Sequence, residues 1–303
     1  MSVVTVTVQL DWKPNAQFAG LLLAQHLGWF AEADLDVRIR PWTPGTDPLE
    51  RVPHDVGTIA VSEDNLAIRA AATGHPIRLV GAMLQRSPLA WMVLEDSPIQ
   101  QFPELAGATI GVHGDGITAL QYALGTAGLD LSSVDLVDVP YDKADRLRDG
   151  TIDACQCNGL VEPVELRHAG VPVRVMWATD VGYSVYSQVL STSNETVRTQ
   201  GDEVSAFTDI MWNGWRQAYV HPTTTATLVI EHFLHESSVE VQREILGGME
   251  AFVFGDAATT AEAGSAMAPV GAIEVDRLDA SIDLLVATRV IRPGLSASHL
   301  LGH

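Results

Sequence analysis

The strongest constraint on this chain is a repeated alternation of two hydrophobic periods. Short apolar runs with strand character are followed by longer runs with helical spacing, from residue 3 to beyond residue 190. Strands are expected at 3–10, 35–41, 56–61, 77–84 and 90–94, with helices at 16–27 and 62–72, the latter with Ser62 as its N-cap. A second series starts at 108. It places strands at 108–113, 134–139, 152–157 and 171–177, and helices at 117–125, 143–148 and 161–168. A strand at 186–192 then leads into helices at 204–220, 223–235, 239–247 and 275–287. Such alternation specifies an α/β fold with parallel or mixed sheets flanked by helices.

The restart at 108 and the return to helices after 192 divide the chain into two lobes. One comprises 1–90 plus 190–303 and the other 91–189, with hinges near 89–94 and 187–191. In a fold of this kind strand C-terminal ends and helix N-termini converge on the cleft between lobes, so a small ligand is expected there. Hinge closure around that ligand is the expected mechanism.

Charge narrows the partners. The net charge is −20 and only Lys13 and Lys143 are lysines. So acidic a surface disfavours nucleic acid and anionic membrane. No apolar run reaches the roughly 20 residues of a membrane helix. No leader is visible before the first strand, which leaves two expectations open: a cytoplasmic protein, or an extracytoplasmic one whose leader has been removed. Cys155 and Cys157 lie two apart on one strand, and without a neighbouring histidine they read as small residues at a strand end. His232 and His235 share a helix face but lack a third ligand. No G-x-S-x-G, H-E-x-x-H or P-loop motif is present, so no catalytic residue, metal or cofactor is expected.

Function should therefore lie at strand-to-helix turns, and four stand out. In LDWKPN (10–15), Pro14 stops the strand, Asn15 can cap the next helix, and Trp12 either plugs the core or offers a flat face for a planar ring; Asp11 adds a carboxylate. Ser62 and Glu63 begin the helix after the third strand, either as a cap or as a polar contact. In HGDGIT (113–118), Gly114 and Gly116 allow either a tight turn or close backbone approach to a ligand. In CNGLVE (157–162), Asn158 and Glu162 open a helix, where a carboxylate is favoured and can accept from an amino-pyrimidine edge. Tyr183 and Tyr186 add aromatic surface before the second hinge.

The segment LDWKPNAQFAGLLLAQHLGWFAEADLDV (10–37) resembles the opening of the NMT1/THI5-like proteins. The likeness continues through DVGTIAVSE (55–63), ELAGATIGV (104–112), GTIDA (150–154), EPVEL (162–166) and DVGYSVYSQVL (180–190), and covers about residues 3–235. It implies a two-lobed type II periplasmic-binding-protein fold, with the ligand in the interlobe cleft. It also implies a monomeric solute-binding protein for a small aromatic heterocycle, above all a thiamine pyrimidine precursor, that feeds an ABC permease. The 11–15 segment would line the cleft, and Glu162, Tyr183 and Tyr186 would help hold the ring. The family's synthase branch gives the alternative, a cytoplasmic enzyme of pyrimidine or thiamine precursor metabolism. Here, however, Ile59 stands at the synthase lysine position and Glu63 at its histidine position, and its cysteine-rich stretch is matched by 182–189, where no cysteine occurs. The segment 158–161 also lacks the aromatic residue often found before the glutamate.

Overall fold

A computed structural model describes residues 3–114, 116–139, 143–255 and 270–302. Two compact units are present. The first comprises Met1–Arg86, Val185–Asp283 and Ile291–His303, and the second Ser87–Ser184 and Leu284–Val290.

The first unit is built on strands β1 (Val4–Gln9), β2 (Leu35–Arg40), β3 (Thr58–Ser62), β4 (Ile77–Leu84) and, late in the chain, Ser187–Ser193. Between them run helices α1 (Ala19–His26), α2 (Trp29–Glu32) and α3 (Asp64–Ala72). The second unit adds β5 (Leu89–Leu94), β6 (Thr109–Val112), α4 (Ile117–Thr126), β7 (Asp135–Asp138), α5 (Lys143–Arg148), β8 (Ala154–Asn158), α6 (Glu162–His168) and β9 (Val173–Trp177). Ser187–Ser193 is then β10, followed by α7 (Asn194–Val220), α8 (Pro222–His232), α9 (Val239–Phe254), α10 (Val275–Ala287) and α11 (Ala297–Leu301).

Each sheet is mixed. The first has the order β2-β1-β3-β10-β4 and the second β7-β6-β8-β5-β9. β1 is parallel to β2 and β3, and β10 is antiparallel to β3 and β4. β6 is parallel to β7 and β8, and β5 is antiparallel to β8 and β9. The central strand β3, TIAVS, is buried at all five positions, as a strand covered on both faces requires.

The first core is closed by helices. α1 buries Ala19 to Ala24 without a polar face, so it must be surrounded. Its partner is α7, and two glycines set their approach. A Cβ at Gly214 would stand 2.0 Å from the Gly20 carbonyl oxygen, and one at Gly20 would stand 2.3 Å from the Trp215 ring. In the second unit, Ala90, Met92, Val139, Leu147, Ile152, Cys155, Cys157 and Leu166 form one apolar cluster. Both thiols are free and buried, and burial pushes Cys155 up to about 12 and Cys157 well above its usual value. They act there as small apolar side chains.

Three readings of local structure change. Ser62 is the last residue of β3, opposite Val189, and not a helix cap; α3 starts at Asp64 with Glu63 before it. Sheet pairing holds Ser62 extended, and its Oγ donates to the Glu63 carbonyl oxygen at 3.2 Å. Helix α7 starts ten residues earlier than its apolar period indicates, capped by Ser193, whose Oγ accepts from Thr196 N at 3.0 Å, and it bends at Gln200. The short helices α2 and α11 lack the length to display a period. As for the expected hinges, β5 pairs wholly within the second sheet and β10 within the first.

Candidate functional site

Parallel pairing aligns the C-terminal ends of β1, β2 and β3, since Gln9 lies opposite both Arg40 and Ala60. The start of β10 meets them there, with Val189 opposite Ser62. One edge of the first sheet thus gathers Asp11, Trp12, Trp42, Ser62, Glu63 and Ser187.

Asn15 is buried and caps the turn after β1: its Oδ1 accepts from Gln17 N at 2.8 Å. Ala16 N donates to Gln242 Oε1 at 2.8 Å, which ties this turn to α9. Held this way, the half-buried Trp12 stacks on Trp42, with ring centroids 5.3 Å apart and planes 26° apart. The Trp42 amide donates to the Trp12 carbonyl oxygen at 3.2 Å and its indole N–H to the Thr46 carbonyl oxygen at 3.0 Å. The two indoles thus form a stacked pair held by the backbone at the ends of β1 and β2. Lys13 beside it is exposed. Glu63 is half-buried and accepts from Ser187 Oγ at 2.5 Å. Ile59 is fully buried in β3, where a lysine head group would be stripped of water.

The second sheet has a comparable edge, at the ends of β6 and β8. Glu162 is the first residue of α6, as its spacing from β8 indicated, but its carboxylate is already engaged. Oε2 accepts from Asn158 N at 2.9 Å and Oε1 pairs with Lys143 Nζ. Both side chains are largely buried, 8% exposed for Lys143 and 15% for Glu162. Burial works against the lysine's charge; the Glu162 charge and hydrogen bond outweigh it and hold its pKa above the usual value. Asn158 Oδ1 accepts from Leu160 N at 3.0 Å and so shapes the turn into α6.

The glycine turn divides into two roles. Gly114 is exposed, and a Cβ there would meet none of the described residues within 4 Å. Gly116 is buried, and a Cβ there would lie 2.0 Å from Gln156 Oε1, which accepts from His113 N at 2.8 Å. The space at Gly116 is therefore taken by Gln156. Asp115 lies outside the described residues.

The two tyrosines separate. Tyr183 belongs to the second unit and packs its ring against Tyr122 at 5.7 Å. Tyr186 belongs to the first; its hydroxyl accepts from Glu274 N at 3.0 Å and Arg277 lies over its ring at 3.9 Å. Both are buried, 1% and 0% exposed. The sequence reading missed Trp42 and Lys143. Trp42 follows the strand that pairs beside β1, which was a usable signal. Lys143 was one of only two lysines, yet its partner lies 19 residues away in sequence.

No helix among the described residues is long and apolar enough to cross a membrane. No group of three or more His, Cys, Asp or Glu among them could hold a metal ion.

The fold is that of the two-lobed solute-binding proteins. The chain is similar in structure to the periplasmic aliphatic sulphonate binding protein SsuA of Escherichia coli, with a TM-score of 0.75 at 14% identity, over 98% of this chain and 91% of that one. In sequence, the chain belongs to the NMT1/THI5-like family, whose model matches residues 15–225. It is 29% identical over 232 residues to the formylaminopyrimidine-binding protein of Halalkalibacterium halodurans, covering 75% of this chain and 70% of that protein. It is 24% identical over 250 residues to the riboflavin-binding protein RibY of Chloroflexus aurantiacus, covering 80% and 70%.

Proposed function

We propose that this protein binds a small aromatic heterocycle with a hydrogen-bonding edge, of the thiamine-pyrimidine-precursor type, and delivers it as a monomer to an ABC importer. The observation that carries this reading is the Trp12 ring, backed by Trp42 at 5.3 Å and set at the same sheet edge as Asp11 and Glu63. A flat ring stacks on such a platform and gains beyond simple burial, while a carboxylate beside it accepts from amino groups. The two relatives named for binding a formylaminopyrimidine and riboflavin share a planar nitrogen heterocycle as cargo, which supports the same chemistry here.

The test is calorimetric titration of ligand-stripped protein with aminopyrimidines and riboflavin. Micromolar or tighter binding that weakens at least tenfold in Trp12→Ala is expected. An absence of binding by every member of that panel overturns the reading.

A further inference from the structure

Gln188 combines two unfavourable features at one residue of the first sheet's edge. Its φ is +50°, a left-handed backbone inside strand β10 that side chains other than glycine rarely adopt. It is also buried, 3% exposed, and among the described residues its Oε1 has no hydrogen-bond partner. A buried acceptor left unpaired is unfavourable, and so is the backbone conformation, and neither offsets the other.

Other buried glutamines of the chain show that such a residue can be satisfied. Gln9 donates to the Leu10 carbonyl oxygen at 3.0 Å, Gln156 accepts from His113 N at 2.8 Å, and Gln242 bridges Ala16 N and Ser237 Oγ at 2.8 and 3.0 Å. These three serve the fold. Among the described residues Gln188 Oε1 has no such bond, although its neighbours on both sides are well placed. Ser187 lies opposite Leu84 and donates to Glu63; Val189 lies opposite Ala82 and Ser62. The irregular residue thus falls between two regular ones, at the strand end that carries Ser62 and Glu63.

We infer that Gln188 is a specificity-determining ligand contact, its carboxamide pairing with the amino-substituted edge of the heterocycle and Oε1 accepting the amino N–H. A carboxamide presents an acceptor and a donor side by side. That matches an exocyclic amine next to a ring nitrogen, as glutamine matches adenine. A ligand with a methyl group in place of the amine leaves Oε1 unpaired and is rejected. The inference rests on the heterocycle-binding reading and deepens it.

The test uses the full chain, stripped of ligand, and two probes of nearly equal shape: 4-amino-5-hydroxymethyl-2-methylpyrimidine and its analogue with methyl replacing the 4-amino group. The wild type is expected to prefer the amino probe by at least tenfold. Gln188→Ala is expected to lose that preference while keeping its affinity for the methyl probe. Gln188→Gly provides a second readout: it relieves the left-handed backbone, so its melting temperature should rise by roughly 2–4 °C while amino-probe affinity falls as in Gln188→Ala. Should both variants bind the amino probe within twofold of wild type, Gln188 is no ligand contact and the heterocycle reading stands. Should the wild type bind neither probe nor any of the panel above, both proposals fall.

Discussion

Glu63 and Glu162 each follow a strand at a sheet edge, one in each unit, and their surroundings differ in kind. Glu63 meets a hydroxyl, Ser187 Oγ, and remains half-buried. Glu162 meets a buried ammonium and a backbone amide, so both its oxygens are engaged. The first edge has a stacked indole pair and a strained glutamine whose oxygen is unpaired among the described residues; at the second, Glu162 pairs with Lys143 and the Asn158 amide. A carboxylate held by a buried cation is preorganised, with its charge and position fixed. A hydroxyl partner such as Ser187 is neutral and fixes a carboxylate oxygen less firmly than an ammonium does. The contrast assigns adaptable contacts to the first edge and a rigid frame to the second.

The largest expected effect tests the rigid frame. Lys143→Ala leaves Glu162 without its cation and should destabilise the protein by about 3–5 kcal/mol, read from the denaturant midpoint. Pairing Lys143→Met with Glu162→Leu should recover most of that loss. A Lys143→Ala loss under about 1 kcal/mol would mean the second edge is no more rigid than the first.

Next comes Asp64, immediately after Glu63. It is buried, and burial pushes it up to about 7, eased by the Tyr186 amide, which donates to Asp64 Oδ2 at 3.2 Å, and by the Arg277 charge. The folded state therefore keeps a proton that the unfolded chain releases near 3.8. The associated stability is present below pH 4 and is lost as pH rises through about 7. Asp64→Asn should flatten that dependence and exceed wild type by on the order of 2–4 kcal/mol at pH 8. Denaturant titrations at pH 5 and pH 8 check it; parallel wild-type and variant profiles would refute it.

Smaller effects separate the two glycines of the 113–118 turn. In Gly116→Ala the new methyl displaces Gln156 and breaks its bond to His113 N, a loss of roughly 1–3 kcal/mol. Gly114→Ala meets none of the described residues within 4 Å and should stay within about 0.5 kcal/mol in thermal melts. Equal losses at both positions would show that backbone freedom, and not the Gln156 contact, governs the turn.

Much of the framework was legible beforehand. The strand at 77–84 and the helices at 143–148 and 275–287 have the expected bounds. The first ten residues of α7 were not legible, because NETVRTQGDE is polar and its helix depends on the Ser193 cap. Asn15 was read as a cap and is one. Ser62 was read as a cap and is the end of a strand, because sheet pairing outcompeted the local preference of a hydroxyl before an acidic pair.

The sequence by itself determined which segments are strands and helices, and therefore which turns carry the polar and aromatic residues, since periodicity is a property of neighbours along the chain. Only the tertiary structure decided what those residues touch. Trp42 backs Trp12 because β2 pairs beside β1; Lys143 neutralises Glu162 because α5 and α6 meet beside β8; Tyr186 is buried by Arg277 and Glu274 from the far end of the chain. Gln188 takes a left-handed turn within a strand that its composition gives no reason to break. Each of these pairings depends on strand order and register. Those are set by how the whole apolar surface is buried, and no local stretch of sequence contains that information.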